Sequence, residues 1–546
     1  MPKDFSKIGH LSTSRKAHHD VIIVGSGHNG LLTAAYLAKA GKKVLVLERK
    51  SYPGGGVASL PMAEPGFVSE RHSAIHQMIL ANPLIINDEL GLRAKYGLEY
   101  LPLEPAYAII FENGCLPLYQ DRKRTAEIIS SISTPKEGQA YERFAAMGAK
   151  LVELMIPGMF VPPSTTPLDL SAHPDVARAL EKASQGSSLD IIEEYFTDPT
   201  VKVAILRFVT EIQLAHPKTP GTGVMAYLGI GLLDKYGLAV PRGGGTAFTS
   251  AVIRCIEDYG GEIRLNTEVT KVVTEGGRAV GVRTRAGEIR ARECVVAQIH
   301  PHILGRMVDG LSPSLTAPAE KTKLSEFSLL VVHAALERPL KFKAGELASR
   351  TVMNTICPNN VEILLESYDA LAQGKIPDNM MCGASCVNVA DPTRAPSGKS
   401  VLHAVVMVRP DHAVGGFHGW DTVKDEVAQK LFRYLDKYLE GFTPDQVRGY
   451  HVVTPVDHQD DTPSFQRGDI VGLAMSSDQM GALRPTPSLA QYRVPGVRGL
   501  YLTGPFMHPG GGVWGGGRPT AVRIMEDLGI DFATVLAAKA KSWPRL

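Results

Sequence analysis

Between Asp20 and Lys50 two unbroken apolar runs flank one amphipathic stretch. VIIVG and KKVLVLERK are continuous and rich in β-branched residues, the pattern of strands buried on both faces. Between them Leu31, Leu32, Ala35, Tyr36 and Ala38 recur at helical spacing, and Gly41 supplies the stop. The order strand, turn, helix, strand predicts a βαβ unit at the edge of a parallel sheet. From about Gly114 to Leu238 longer amphipathic stretches take over, such as QAYERFAAMGAKLVELM and DPTVKVAILRFVTEIQLA, interrupted by the Pro-rich PGMFVPPSTTP; this region reads as mainly helical.

Short alternating runs punctuated by glycine pairs resume at GGEIRLNTEVTKVVTEGGRAVGVRTRAGEIRARECVVAQ, predicting a hairpin or three-stranded meander that leads into a buried strand. Beyond about Ser325, strands such as SLLVVHAALE and SVLHAVVMVR mix with the helix DEVAQKLFRYLDKYL. A last strand, GLYLTG, precedes a glycine-rich turn and a closing helix from about Pro519 to Leu528. The expected architecture is α/β and two-lobed. One discontinuous nucleotide-binding lobe is made of residues 20–113, 239–324 and 495–535; a substrate lobe is made of 114–238 and 325–494, and residues 1–19 form an N-terminal tail. No fixed-period repeat signals a solenoid or propeller.

The length of 546 residues supports two joined cores, and 44% hydrophobic with 21% charged residues fits a globular chain. Lys plus Arg number 58 against 56 Asp plus Glu, so a net charge of +2 offers no basic face for nucleic acid. The opening MPKDFSKIGHLSTSRKAHHD lacks an apolar signal-peptide core, which makes the cytoplasm the expected location. No apolar run reaches the roughly 18 to 20 residues that cross a bilayer, and peripheral contact with a membrane stays open. The six scattered cysteines predict reduced thiols; Cys382 and Cys386, without a second pair or histidine cluster, read as packing residues.

The chemistry starts at Gly25-Ser26-Gly27-His28-Asn29-Gly30. The first glycine permits a tight turn, the second admits a pyrophosphate against the backbone, and the third lets helix pack on strand. The helix N-terminus adds unpaired N–H groups and a favourable dipole. Glu48 ends the second strand at the distance along the chain expected of a carboxylate that binds ribose hydroxyls, and its charge disfavours a 2′-phosphate. His28, Asn29 and the neighbouring Arg49 are counted among the cofactor contacts. These residues fit FAD or NAD.

The next segment, ERKSYPGG with Gly54-Gly55, resembles the second half of the FAD-binding motif shared by amine oxidases, GDP dissociation inhibitors and phytoene desaturases. PGFVSERHSAIHQMI and ELGLRAKYGLEYLPLEPAYAIIFENG are similar to phytoene desaturase-like proteins, especially desaturase-type carotenoid ketolases. PRGGGTAFTSAVIRCIEDYGGEIRLNTEVTKVV matches the same family, which implies that the Val269 backbone contacts adenine. Gln479, Arg484-Pro485 and GLYLTGPFMHPGGGVWGGGRPTAVRIMED complete a resemblance running from about residue 20 to 530. It implies an FAD-binding Rossmann-like fold of the GDP dissociation inhibitor and amine oxidase kind, with Gly504, Gly511, Gly512 and Val513 closing over the flavin and the closing helix's dipole stabilising reduced isoalloxazine.

The activity implied is removal of hydride from a hydrophobic, isoprenoid or carotenoid-like substrate, with oxygen, a quinone or a protein as electron acceptor. Oxygenation, redox-neutral isomerisation, or non-catalytic prenyl binding of the GDP dissociation inhibitor type are the alternatives; the intact glycines and Glu48 argue against the last. Pro505 stands where many wider relatives carry an acid, as it does in some phytoene desaturases, and Trp514 with Gly515-Gly516-Gly517 departs from the family pattern and leaves the substrate open. His508 is the candidate acid, base or polar lid, against a turn histidine bonded to backbone. Trp514 borders the flavin or anchors the closing helix, and LVELMIPGMFVPP lines an apolar tunnel, dips into a membrane surface or packs in the core. Arg71, His72 and His76 border the cavity or, the favoured reading, are ordinary interface residues, and Asp457, His458, Asp460 and Asp461 read as a solvated acidic loop in preference to a metal site. No cysteine pair follows the glycine doublet and no second GxGxxG unit occurs, so neither thiol chemistry nor a separate NAD(P)H domain is expected.

Overall fold

The computed structural model describes residues 19–537 except 167 and 212. The expected N-terminal tail therefore lies outside the described residues, apart from His19, which opens the first strand. That strand, His19–Val24, runs parallel to Val44–Leu47 on one side and to Gly287–Ala297 on the other. It is central to its sheet, not at the edge as the sequence suggested. Its Val21, Ile22 and Ile23 are fully buried, as suits a central strand. Glu262–Arg264 extends the sheet beyond Val44–Leu47, and Leu500–Leu502 adds a parallel strand to Gly287–Ala297.

The long strand Gly287–Ala297 has two characters. Its first half alternates in exposure and closes an antiparallel meander with Val269–Glu275 and Arg278–Thr284; its second half, Cys294 to Ala297, is fully buried in the parallel sheet. Polar alternation suits a ribbon wet on one face, whereas the continuous apolar run suits a strand covered on both.

A second seven-stranded sheet has the order Val447–Val453, Ser328–Leu336, Ser400–Val408, Gly383–Ser385, Met353–Ile356, Tyr107–Phe111, Gly114–Leu118. Tyr107–Phe111 precedes residue 114, so this lobe takes up the chain earlier than the expected boundary. The helices expected between 114 and 238, among them Pro135–Met159 and Gly223–Tyr236, share one buried core with Tyr107, Ile109, Leu116 and Leu118 of this sheet. The former continues through Pro157, beyond the apolar run that predicted it, because its outer turn still buries Ile156 and Met159.

Those two helices cross where Gly148 meets Gly231. A Cβ on Gly231 would lie 2.2 Å from the Gly148 carbonyl oxygen, and one on Gly148 would lie 2.6 Å from that of Tyr227. Backbone faces backbone, so no rotamer change relieves a larger residue. Gly231→Val is expected to lower stability by about 2–3 kcal/mol, read as a reduced midpoint in urea unfolding; a midpoint equal to wild type would show that the helices can separate without cost.

Candidate functional site

The turn after the first strand leads into the helix His28–Lys39, whose N-terminus is capped by no side chain. Its first residues border a cavity of about 370 Å³. His28 Nε2 and Asn29 Oδ1 are buried there without a hydrogen-bond partner, as polar atoms awaiting a ligand would be. Gly25 holds a φ of +89°, and a Cβ on Gly30 would lie 2.8 Å from the Gly25 carbonyl oxygen. A Cβ would come within 2.9 Å of the Gln298 amide at Gly25, 2.6 Å at Gly27 and 2.4 Å at Gly30. Gln298 Nε2 donates to the Gly25 carbonyl at 2.7 Å, so this residue braces the turn from below. Nothing in the local sequence marks it; only its place just past the Gly287–Ala297 strand brings it here.

The second glycine block joins the first directly. Gly54 N–H donates to the Ser26 carbonyl at 3.0 Å, and a Cβ on Gly55 would lie 3.0 Å from Gly27 Cα. Gly25, Gly27, His28, Asn29, Glu48, Arg49, Gly55 and Val269 all line the cavity, while Gly30 and Gly54 stand behind it as packing contacts. Glu48 is buried at the cavity wall, where its carboxylate accepts from Ser26 N at 2.8 Å, Ser26 Oγ at 2.7 Å and Lys50 N at 2.9 Å. Three fixed donors hold it rigidly and leave lone pairs for ribose hydroxyls.

The neighbouring wall corrects one expectation. Asp457 to Asp461 is no solvated acidic loop; it belongs to the helix Pro455–Asp461, with His458 fully buried and Asp461 paired with both Lys50 and Arg71. Arg49 donates to the carbonyls of Asp460 and Asp461. Burial and the charges of Arg71 and Arg49 push the Lys50 ammonium down to about 7. His72 reaches the cavity wall, whereas His76 is buried against the Tyr100 hydroxyl at 2.7 Å.

The third segment supplies the far wall. Gly512 and Val513 line the cavity together with Pro505; Gly504 and Gly511 do not. Gly511 instead packs so tightly that a Cβ would lie 2.2 Å from the Val471 carbonyl oxygen. Arg484, fully buried, donates to the carbonyls of Val471, Leu473, Ala474, Gln479 and Pro505, tying the 471–479 loop to this turn. The family resemblance at Arg484-Pro485 marked the residue, but its role as a hub follows only from where these loops meet.

One sequence expectation changes here. His508 is not on the cavity wall: its ring bonds the Gly158 carbonyl at 3.0 Å, and burial pushes it down to about 4, so it is the backbone-bonded turn histidine. The closing helix, Gly517–Asp527, starts four residues beyond Val513, and its first turn packs on the first helix. A Cβ on Gly517 would lie 2.1 Å from the Asn29 carbonyl oxygen, which explains the extra glycines as a helix contact. Trp514 is buried beside Phe160, ring centroids 6.1 Å apart, and is not among the cavity-lining residues.

Unfilled donors at a helix N-terminus, a buried carboxylate beside them and a long cavity walled by three separated segments fit a flavin dinucleotide. They define a FAD-dependent oxidoreductase of the two-lobed amine-oxidase fold. A family model described as flavin containing amine oxidoreductase matches residues 30–525, and the chain belongs to that family. It is similar to the mouse pyridine nucleotide-disulfide oxidoreductase domain-containing protein 2, with 30% identity covering 94% of each chain. It also resembles the all-trans-zeta-carotene desaturase of Myxococcus xanthus, with 26% identity over 96% of this chain and 95% of that one. A solved oxidoreductase from Methanosarcina mazei shares the fold, with a TM-score of 0.58 at 16% identity over 93% of this chain and 99% of the other. The expected kinship with phytoene desaturase-like flavoproteins, the fold class and the cofactor are thereby established.

Glu48→Ala removes the rigid acceptor and strands the Ser26 N–H. FAD affinity of the apoprotein is expected to fall about 10- to 100-fold, the equivalent of losing about 1.5–3 kcal/mol of charged hydrogen bonding. Calorimetric titration with FAD measures it, and an unchanged dissociation constant would remove Glu48 from the site.

Proposed function

We propose that this flavoprotein dehydrogenates a hydrophobic, isoprenoid or carotenoid-like substrate. The observation that carries the reading is a methionine-rich apolar cluster beside the glycine turn. Met159, Met225 and Met475 are buried with Phe160, Leu228 and Trp514, and Met78 and Met480 pack against them. Met78 Sδ lies 3.3 Å from where a Gly512 Cβ would stand, and Met475 Sδ 2.8 Å from that of Gly510. Unbranched, polarisable side chains repack around long apolar molecules of irregular shape, and here they adjoin the wall that bears Gly512. The stretch LVELMIPGMFVPP thus supplies Val152, Ile156, Met159 and Phe160 to this cluster. The similarity to a carotene desaturase supports the same substrate class.

When bound, FAD supplies the hydride acceptor. The protein's part is to hold the dinucleotide by the glycine turn and Glu48, to exclude water with Phe465, Ile470, Val471 and Val513, and to present an apolar substrate to the cavity. Oxygen, a quinone or a protein then takes the electrons. Among the described residues no helix is long and apolar enough to cross a membrane. A cytoplasmic protein that takes its substrate from a membrane surface fits the exposure of Val161 and Leu168 in the Pro-rich segment after Pro135–Met159.

Anaerobic mixing with a panel of terpenes and carotenes is expected to bleach the oxidised flavin, with a product lighter by one H2. Bleaching by amines with none by the panel would overturn the substrate class. A product that gains oxygen, or keeps its mass, would replace dehydrogenation with oxygenation or isomerisation.

A further inference from the structure

Three adjacent strands of the second sheet carry a histidine at the same register. His333 in Ser328–Leu336 stands opposite His403 in Ser400–Val408 and opposite His451 in Val447–Val453. Residues directly opposite in neighbouring strands project to the same face, so these imidazoles form a row across the sheet. The His333 and His403 rings are 5.0 Å apart. The ring of His458, from the helix Pro455–Asp461, meets that of His72 at a tilt of 47° with centroids 4.8 Å apart, and His333 and His403 both bear electrostatically on His72. At one end His72 lines the flavin cavity beside Gly56; at the other, His451 is exposed in an open cleft next to Asp457.

Hydrogen bonding within the group is incomplete in a particular way. His333 Nδ1 meets Ser69 Oγ at 2.8 Å and His458 Nε2 meets the Leu329 carbonyl at 3.0 Å. The second ring nitrogen of each is buried without a partner, as are His403 Nδ1 and both nitrogens of His72. Buried polar atoms left open cost stability, and five in one patch call for an explanation. A metal does not provide it: among the described residues no group of three or more His, Cys, Asp or Glu side chains could hold one. An imidazole with one anchored and one open nitrogen can take a proton on one side and release it on the other.

We propose that His72, His458, His403, His333 and His451 form a proton path between the flavin cavity and solvent, with His72 as the group that receives the substrate's proton. The second clause rests on the dehydrogenation reading above. Forming a C=C bond removes two hydrogens from adjacent carbons. One leaves with its electron pair as hydride to FAD; the other leaves as a proton to a His72 ring nitrogen, its C–H electron pair becoming the π bond. The substrate is oxidised by two electrons, the flavin is reduced by two, and the proton passes along the row to water at His451.

The four buried rings rest uncharged, each with an open nitrogen. Burial pushes His403 and His458 down to about 4 and His72 and His333 well below the usual histidine range, so each is neutral at pH 7. The charged groups facing the row are Arg71, whose guanidinium opposes protonation of His72, His333, His458 and His451, Asp457, which favours it at His451 and His458, and Lys424, which opposes it at His451. His451 is the exposed ring of the row, so the proton leaves to water there.

The test uses the full chain, loaded with FAD and free of substrate, so its outcome is independent of which substrate is used. Ring N–H exchange with solvent is followed at His72 by 15N-histidine NMR. Rapid exchange is expected in the wild-type protein, slowed at least tenfold by His451→Gln, which alters an exposed residue and leaves the fold intact, and more by His333→Phe. Exchange at His72 that is slow in the wild type, or that neither substitution changes, would overturn the path. If the path holds but terpenes and carotenes fail to bleach the flavin, it is the substrate reading that fails.

Discussion

The nucleotide-binding lobe depends on how closely glycine backbone approaches the N-terminus of the helix His28–Lys39. Gly55 rests on Gly27, Gly517 rests on the Asn29 carbonyl, and Gln298 fills the hollow beneath Gly25, Gly27 and Gly30, in each case with no room for a methyl group. Three segments separated by hundreds of residues are thereby fastened around one helix end whose amides and side-chain atoms stay free of protein partners. A cofactor site built this way is rigid before its ligand arrives, which lowers the ordering cost of binding. The same closeness explains why a run of glycines precedes the closing helix: it serves helix packing, and the cavity itself uses only Gly512 and Val513 from that turn.

The second sheet stands against this lobe and brings different chemistry to the same cavity. The helix Pro455–Asp461 places Asp461 on Lys50 and Arg71 and inserts His458 against His72, so one short element both closes the cavity wall and joins it to the histidine row. On the other side, the Met-rich cluster from Pro135–Met159 and Gly223–Tyr236 abuts the glycine turn. Redox cofactor, apolar substrate and proton exit thus come from three different parts of the chain. Their separation suits a reaction in which hydride and proton leave adjacent carbons toward different acceptors.

Much of the nucleotide lobe is legible in the sequence because its signals are local. An unbroken apolar strand, a glycine turn, a helical stripe ended by Gly41 and a carboxylate after the second strand each follow from neighbouring residues, and the meander shows in its glycine pairs. The centrality of the first strand was not legible, since its second neighbour, Gly287–Ala297, arrives more than 260 residues later. Long-range encounters account for the other misses. Gln298, Arg484 and Asp461 gain their roles only where distant loops meet, and the histidines at 333, 403 and 451 form a row only once strand register is known. His508, prominent in a conspicuous motif, proved to be bonded to backbone, while the plainer His72 reached the cavity.

The claim on which the rest stands is that three separated glycine segments hold one FAD. The visible spectrum of the purified full chain, with the cofactor released and quantified, tests it most directly. The account predicts the absorbance bands of bound oxidised flavin and one FAD per chain; a colourless protein that gains no such bands with excess FAD would contradict it.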